Sequence, residues 1–202
     1  MRAEGKQRWY GLRADPLAEI DEWLEPYRRH WSARLDTLER HLEGMTASQI
    51  TVDGRPALRI ERHLDHPIER VWRAVSEPAE LARWFVSEAP WTPALGEEFV
   101  AAGHAGRITA LDPPRLLAWT WGAEAYSFAL TRDGDACVLV FTHVFDPELG
   151  PGWQHAAGWE TYFARLDVHL TGGFLSEEAA HEGIDELMAG YRELFEAQTG
   201  AR

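Results

Sequence analysis

The sequence predicts an α+β fold: a curved antiparallel sheet wrapped on a long C-terminal helix, with an extra N-terminal helix and an extra C-terminal helix. Three observations predict it. Between Gly96 and Phe145 short alternating runs are separated by turn sequences; residues 154–171 carry an apolar stripe at helical spacing; and two short Pro-started helical segments precede the strands. The chain divides accordingly into an N-terminal helical extension (1–49), the sheet-and-helix domain (50–172) and an acidic amphipathic C-terminal helix (173–202).

In chain order, RWYGL at 8–12 reads as a strand, with two aromatics and a leucine between basic residues. Leu17, Ile20, Leu24, Tyr27, Trp31, Leu35, Leu38, Leu42 and Met45 then fall at spacings of three and four, a heptad-like stripe of about four repeats. Asp15-Pro16 supply a cap and a first-turn proline, and Gly44 an end. Pro26 kinks or splits the helix, after which the stripe resumes on the same face. So long and regular a stripe is expected to meet another helix. Leu24, Trp31, Leu35, Leu38 and Leu42 are therefore the expected seam of a homodimer, the alternative being docking on the chain's own body.

Asp53-Gly54-Arg55-Pro56 marks a turn into a strand at 57–65, where Leu58, Ile60, Arg62 and Leu64 share a face. HPIERVWRAVSEP reads as a short helix with Pro67 in its first turn and Ile68, Trp72 and Val75 toward the core. Pro78 ends it, and PAELARWF forms a second short helix with Leu81, Trp84 and Phe85. The strands EEFVA, RITAL, RLLAWTW, AYSFALT and ACVLVFTHVF follow, bounded by GHAG, LDPP, WGAE and RDGD. Asp133-Gly134 is a hairpin signal. Leu117, Trp119 and Trp121 share one strand face, Tyr126, Phe128 and Leu130 a second, and Leu139, Phe141, His143 and Phe145 a third, which implies one concave apolar surface. Trp159, Tyr162, Phe163, Leu166 and Leu170 match it on the helix that Gly172-Gly173 closes. From Ser176, a cap with Glu177 and Glu178 behind it, a single last helix runs through Ile184, Leu187, Met188, Tyr191, Leu194 and Phe195.

Composition narrows the function. Apolar residues make up 45% and charged residues 26% of 202, so a real core is expected. The net charge of −13 repels phosphate and anionic lipid, which sets aside general nucleic-acid and membrane-surface roles. No apolar run matches a membrane span and MRAEGKQRWY lacks a signal-peptide core, so a cytoplasmic protein is expected. The lone Cys137, in a strand, reads as a small buried hydrophobe. Ten tryptophans suit either a large core or the wall of an apolar cavity.

Three segments, ALRIERHLDHPIERVWRAVSEPAELARWF, GRITALDPPRLLAWTW and HAAGWETYFARLDVHL, together resemble the family of heat-shock protein 90 ATPase activator homologues. That family lies within the START/Bet v 1-like superfamily, also called SRPBCC, and the resemblance spans roughly residues 50–172. It implies the helix-grip fold, a container used in the superfamily for lipids, polyketides and hormones, and fold alone does not set the ligand. The founding chaperone activators carry a separate chaperone-binding domain ahead of this one, and nothing in residues 1–49 resembles it. Residues 5–45 instead resemble the wing end and dimerisation helix of an arsenic-repressor-type winged helix-turn-helix regulator. Its recognition helix would lie upstream of residue 1, so the expectation is that this part was lost or that the natural chain begins earlier. Eight basic against nine acidic residues in 1–45 leave no basic footprint for DNA.

For chemistry there is no serine elbow, no His-Glu-x-x-His and no phosphate-cradling loop. His63 and His66 around Asp65 are expected to be surface or capping residues rather than metal ligands, and no cofactor is expected. His143, on an inward strand face, either orients a ligand or is satisfied by a neighbour. The expected ligand-binding residues are Trp84, Trp119, Trp121, Phe128, Phe141, His143, His155, Trp159, Tyr162, Phe163 and Leu166, with Glu160 at the mouth or solvated. They would bind a small apolar or amphipathic molecule without catalysis. A regulator-derived interaction protein and a cyclase- or hydrolase-like enzyme are the alternatives, the latter needing a buried acid or base beside His143.

Overall fold

The computed structural model describes residues 47–86 and 90–200. The heptad stripe, with Leu24, Trp31, Leu35, Leu38 and Leu42, lies outside the described residues, as does the segment resembling a wing and dimerisation helix. Seven antiparallel strands form one sheet: β1 (Ala47–Val52), β2 (Arg55–Leu64), β3 (Glu98–Ala101), β4 (His104–Asp112), β5 (Leu116–Trp121), β6 (Glu124–Asp133) and β7 (Ala136–Val144). Their order across it is β1-β2-β7-β6-β5-β4-β3, so the second strand pairs with the last, and β1 and β3 form the edges. Between β2 and β3 stand α1 (Ile68–Ser76) and α2 (Pro78–Leu81); after β7 come α3 (Gly152–Leu170), α4 (Glu177–Ala180) and α5 (Ile184–Gly200).

The predicted α+β order is present, with three differences in its elements. β1 starts at Ala47, three residues before the expected start of the domain. Its residues Ser48, Gln49 and Thr51 are polar because it is an edge strand, so the apolar alternation that flags central strands is weak there. The second short helix ends at Leu81 instead of running through Phe85. Trp84 is nonetheless fully buried, its indole Nε1 donating to the Ala74 carbonyl at 2.8 Å. The last helix is two: Ser176 Oγ accepts from Ala179 N at 3.2 Å as a cap, but α4 stops at Ala180. Gly183, at φ +81°, then turns the chain into α5. Two-residue hairpins at Asp53-Gly54, with both φ positive, and at Gly134-Asp135 set the registers of β1 with β2 and β6 with β7.

α3 lies against the inner face of the sheet, and α5 packs on α3. Leu117, Phe128, Phe141, Phe163 and Leu166 are fully buried between sheet and helix, and Phe141 meets Phe163 edge-on at 5.4 Å. A buried polar network ties four elements together. Arg62 on β2 donates to Glu160 at 2.5 Å and to Asp167 at 2.8 Å on α3. Tyr191 on α5 donates to Glu160 Oε1 at 2.6 Å and accepts from the Ala47 backbone N–H of β1 at 3.3 Å. Glu160 is thus held inside the fold, neither at the mouth nor solvated, the two places the sequence left open for it. No helix among the described residues is long and apolar enough to cross a membrane.

Because Tyr191 is fully buried, Tyr191→Phe removes the hydrogen bonds that its hydroxyl makes with Glu160 and the Ala47 N–H without changing shape. A loss of about 1–3 kcal/mol is expected in urea unfolding, read as a lower midpoint at unchanged slope.

Candidate functional site

Strand register lays out the inner face of the sheet in rows. Ile108, Trp119, Tyr126, His143 and Leu58 form one row. Leu117, Phe128, Phe141 and Ile60 form the next, which α3 covers with Phe163 and Leu166. On the other side Trp121 pairs with Glu124 across a two-residue turn. At this end the packing leaves a pocket of about 520 Å³. Gln154, His155, Gly158, Trp159 and Tyr162 of α3 form one wall, and Trp121, Glu124, Tyr126 and His143 of the sheet another. Leu149, Val86, and Ile184 and Met188 of α5 complete it. Gly158 borders the space, and a Cβ there would meet nothing within 4 Å.

The polar side chains converge at one place. Trp159 Nε1 donates to His143 Nδ1 at 3.0 Å. An indole N–H can only donate, so Nδ1 accepts and the proton of the neutral ring sits on Nε2, 3.3 Å from Glu124 Oε2. The contact is close but poorly aligned for a hydrogen bond. The Tyr126 ring stacks on the imidazole at 4.5 Å, and its hydroxyl donates to Glu124. His155 stands edge-on to His143 at 5.3 Å, and its buried Nε2 has no hydrogen-bond partner.

Electrostatics separates these groups. Burial alone would raise the pKa of Glu124, but the neighbouring His143 and Tyr126 side chains and the Asp146 N–H outweigh it and hold the carboxyl at about 2. Burial, then the bond to Glu124, pushes the Tyr126 phenol far up. Burial lowers the pKa of His155, and neighbouring His143 acts in the same direction. The pocket therefore holds the Glu124 carboxylate beside imidazole and phenol rings. Tyr162, its hydroxyl 3.3 Å from Glu177, is pushed up to about 12, chiefly by burial.

Of the residues expected to bind a ligand, Trp121, His143, His155, Trp159 and Tyr162 line the pocket. Trp84, Trp119, Phe128, Phe141, Phe163 and Leu166 do not; they fill the core, each at most 1% exposed. Glu124 was not anticipated. Its signal was its phase, two residues before Tyr126 and four before Phe128 on the same strand face, in a segment that reads as a turn. Gly158, a glycine inside a helix directly before the Trp159–Phe163 aromatic run, was a second unused signal. His63 lies on the exposed surface with Nε2 3.1 Å from Asp133. Among the described residues no group of three or more His, Cys, Asp or Glu is placed to hold a metal ion.

The model of the family described as Activator of Hsp90 ATPase homolog 1-like protein matches residues 65–171, more than half of the chain. The chain belongs to this family. Similar solved structures include CalU16 from Micromonospora echinospora, 23% identical, with a TM-score of 0.61 over 73% of this chain and 94% of that one. EF2215 from Enterococcus faecalis, a conserved protein of unknown function, is 20% identical, with a TM-score of 0.64 over 80% and 96%. The protein encoded by BPP1335 from Bordetella parapertussis is 22% identical, with a TM-score of 0.53 over 73% and 91%. These likenesses establish the fold alone. No curated protein matches the chain. Within the Activator of Hsp90 ATPase homolog 1-like fold, the family match ends before α4 and α5, so Ile184 and Met188 reach the pocket from outside it.

A carboxyl whose pKa falls from 4.5 to about 2 on folding contributes stability that is fully present above pH 4.5 and is lost as pH falls toward 2. Glu124→Gln is therefore expected to be less stable than wild type at neutral pH, with a gap that narrows on acidification below 4.5. Thermal unfolding of both proteins across this range checks it.

Proposed function

We propose that this chain binds a small apolar or amphipathic molecule in the pocket between the sheet, the N-terminal half of α3 and α5. The observation that carries the reading is the pocket's make-up: about 520 Å³, aromatic and aliphatic walls, and Glu124, His143 and His155 converging at one point. Specific small-molecule sites have this size and this mixture, apolar surface for affinity and a few polar groups for orientation. Membership of a family built on a helix-grip container supports the same reading. A catalytic use of the pocket is favoured less, although the carboxylate beside His143 is what it would need. The Nδ1 lone pair of His143 is taken by the Trp159 N–H, so no basic nitrogen of that ring is free to remove a proton.

Gly158→Leu tests this directly. The new side chain enters open space in the pocket, and replacing a helix-interior glycine favours the helix by about 0.8–1 kcal/mol. Native mass spectrometry of protein from its own host is expected to show a defined extra mass on wild type and none on Gly158→Leu, while the variant melts no lower. An empty wild type, or the same adduct on both, would sink the proposal.

The heptad stripe of residues 17–45 supports a further part of the reading, a cytoplasmic homodimer paired through Leu24, Trp31, Leu35, Leu38 and Leu42. The double variant Leu35→Asp, Leu38→Asp is then expected to sediment as a monomer; a dimer with both substitutions would remove the seam.

A further inference from the structure

We infer that the ligand of this pocket is a cation, an amphipathic amine whose ammonium group lies against Glu124 and whose apolar body packs among the aromatic rings. This rests on the binding role proposed above and names the ligand's charge class. The carboxylate is the starting point. Glu124 takes the Tyr126 hydroxyl and the His143 Nε2 contact on Oε2 and the Asp146 N–H at 3.4 Å on Oε1. A carboxylate has about four acceptor positions, so one remains. All three donors are formally neutral in the tautomer that Trp159 imposes, so the negative charge is solvated by dipoles and cancelled by none of them.

The surroundings agree. No lysine or arginine is among the described residues that line the pocket. Two guanidinium groups are recorded close by: that of Arg55 donates to the Ala123 carbonyl at 2.6 Å, and that of Arg165, over the Tyr162 ring at 5.7 Å, donates to the Leu175 carbonyl and sits 4.0 Å from Glu177. Trp121, Tyr126, Trp159 and Tyr162 make a continuous arc, successive ring centroids lying 6.3, 6.0 and 5.8 Å apart. Aromatic rings beside a carboxylate are the chemistry that recognises an organic ammonium, the rings by their quadrupoles and the carboxylate by a charge-assisted hydrogen bond. His155, whose buried Nε2 has no hydrogen-bond partner, lines the same pocket. The positive end of the α3 dipole would favour an anion, but the N–H groups of Gln154 and His155, the first-turn residues that line the pocket, both donate to the Pro151 carbonyl.

The probes are 2-phenylethylammonium, its neutral counterpart 2-phenylethanol and the anion phenylacetate, titrated calorimetrically and by tryptophan fluorescence against the full chain. The ammonium is expected to bind about tenfold more tightly than the alcohol, the scale of one charged hydrogen bond, with phenylacetate weakest. Glu124→Gln is expected to bring the ammonium-to-alcohol ratio toward one. A second readout needs no variant: added salt should weaken the ammonium and leave the alcohol unchanged. If alcohol and ammonium bind equally, or phenylacetate binds best, the charge assignment is wrong and the pocket stands. If none binds, or all bind Gly158→Leu as well, the pocket reading falls and this inference with it.

Discussion

One helix has to cover the concave face of a seven-stranded sheet, and the rest of the molecule follows from that constraint. α3 has 19 residues, about 28 Å of helix. Its C-terminal half brings Phe163, Leu166 and Leu170 onto the rows of Phe141, Phe128 and Leu117, where the packing closes without space. Its N-terminal half carries Gly158, and there the side chains do not meet. The pocket is the unfilled part of the same interface, and α5, lying against α3, supplies Ile184 and Met188 to complete its wall.

Two acidic side chains show how the fold separates support from recognition. Glu160 faces Arg62 and Tyr191, and its charge is cancelled inside a network that pins α5 and β1 to the body of the domain. Breaking one partner of such a set costs more than the set contributes against an apolar replacement, so its role is to specify where the last helix sits. Glu124 has hydrogen-bond donors and, among the described residues, no guanidinium ion pair. Its charge is not matched by a recorded guanidinium, and the aromatic wall beside it lowers the local dielectric in which that charge acts.

Much of the architecture was legible from periodicity. The five strands from Glu98 to Val144, the long helix and its partner rows were all signalled by alternation or by helical spacing, which local sequence carries directly. Edge strand β1 was not, because its exposed face is polar, and the break between α4 and α5 was hidden by an amphipathic phase that continues across Gly183. At the site, Trp121, His143, His155, Trp159 and Tyr162 were visible as inward or helical aromatics and histidines, but so were the six residues that turned out to be solid core. Nothing local distinguishes a tryptophan that lines a space from one that fills it.

By itself, then, the sequence determined the class of fold, the order of its elements and which faces turn inward, since these depend on residues a few positions apart. Tertiary structure decided where the interior stays open, that the tyrosine and histidine of one row stack, and that Glu124, read as part of a turn, comes within reach of both. Those outcomes depend on register across strands and on how a helix from one end of the chain lies over a sheet built from the rest. Packing at that range is set by the sum of many contacts, and no single stretch of sequence contains it.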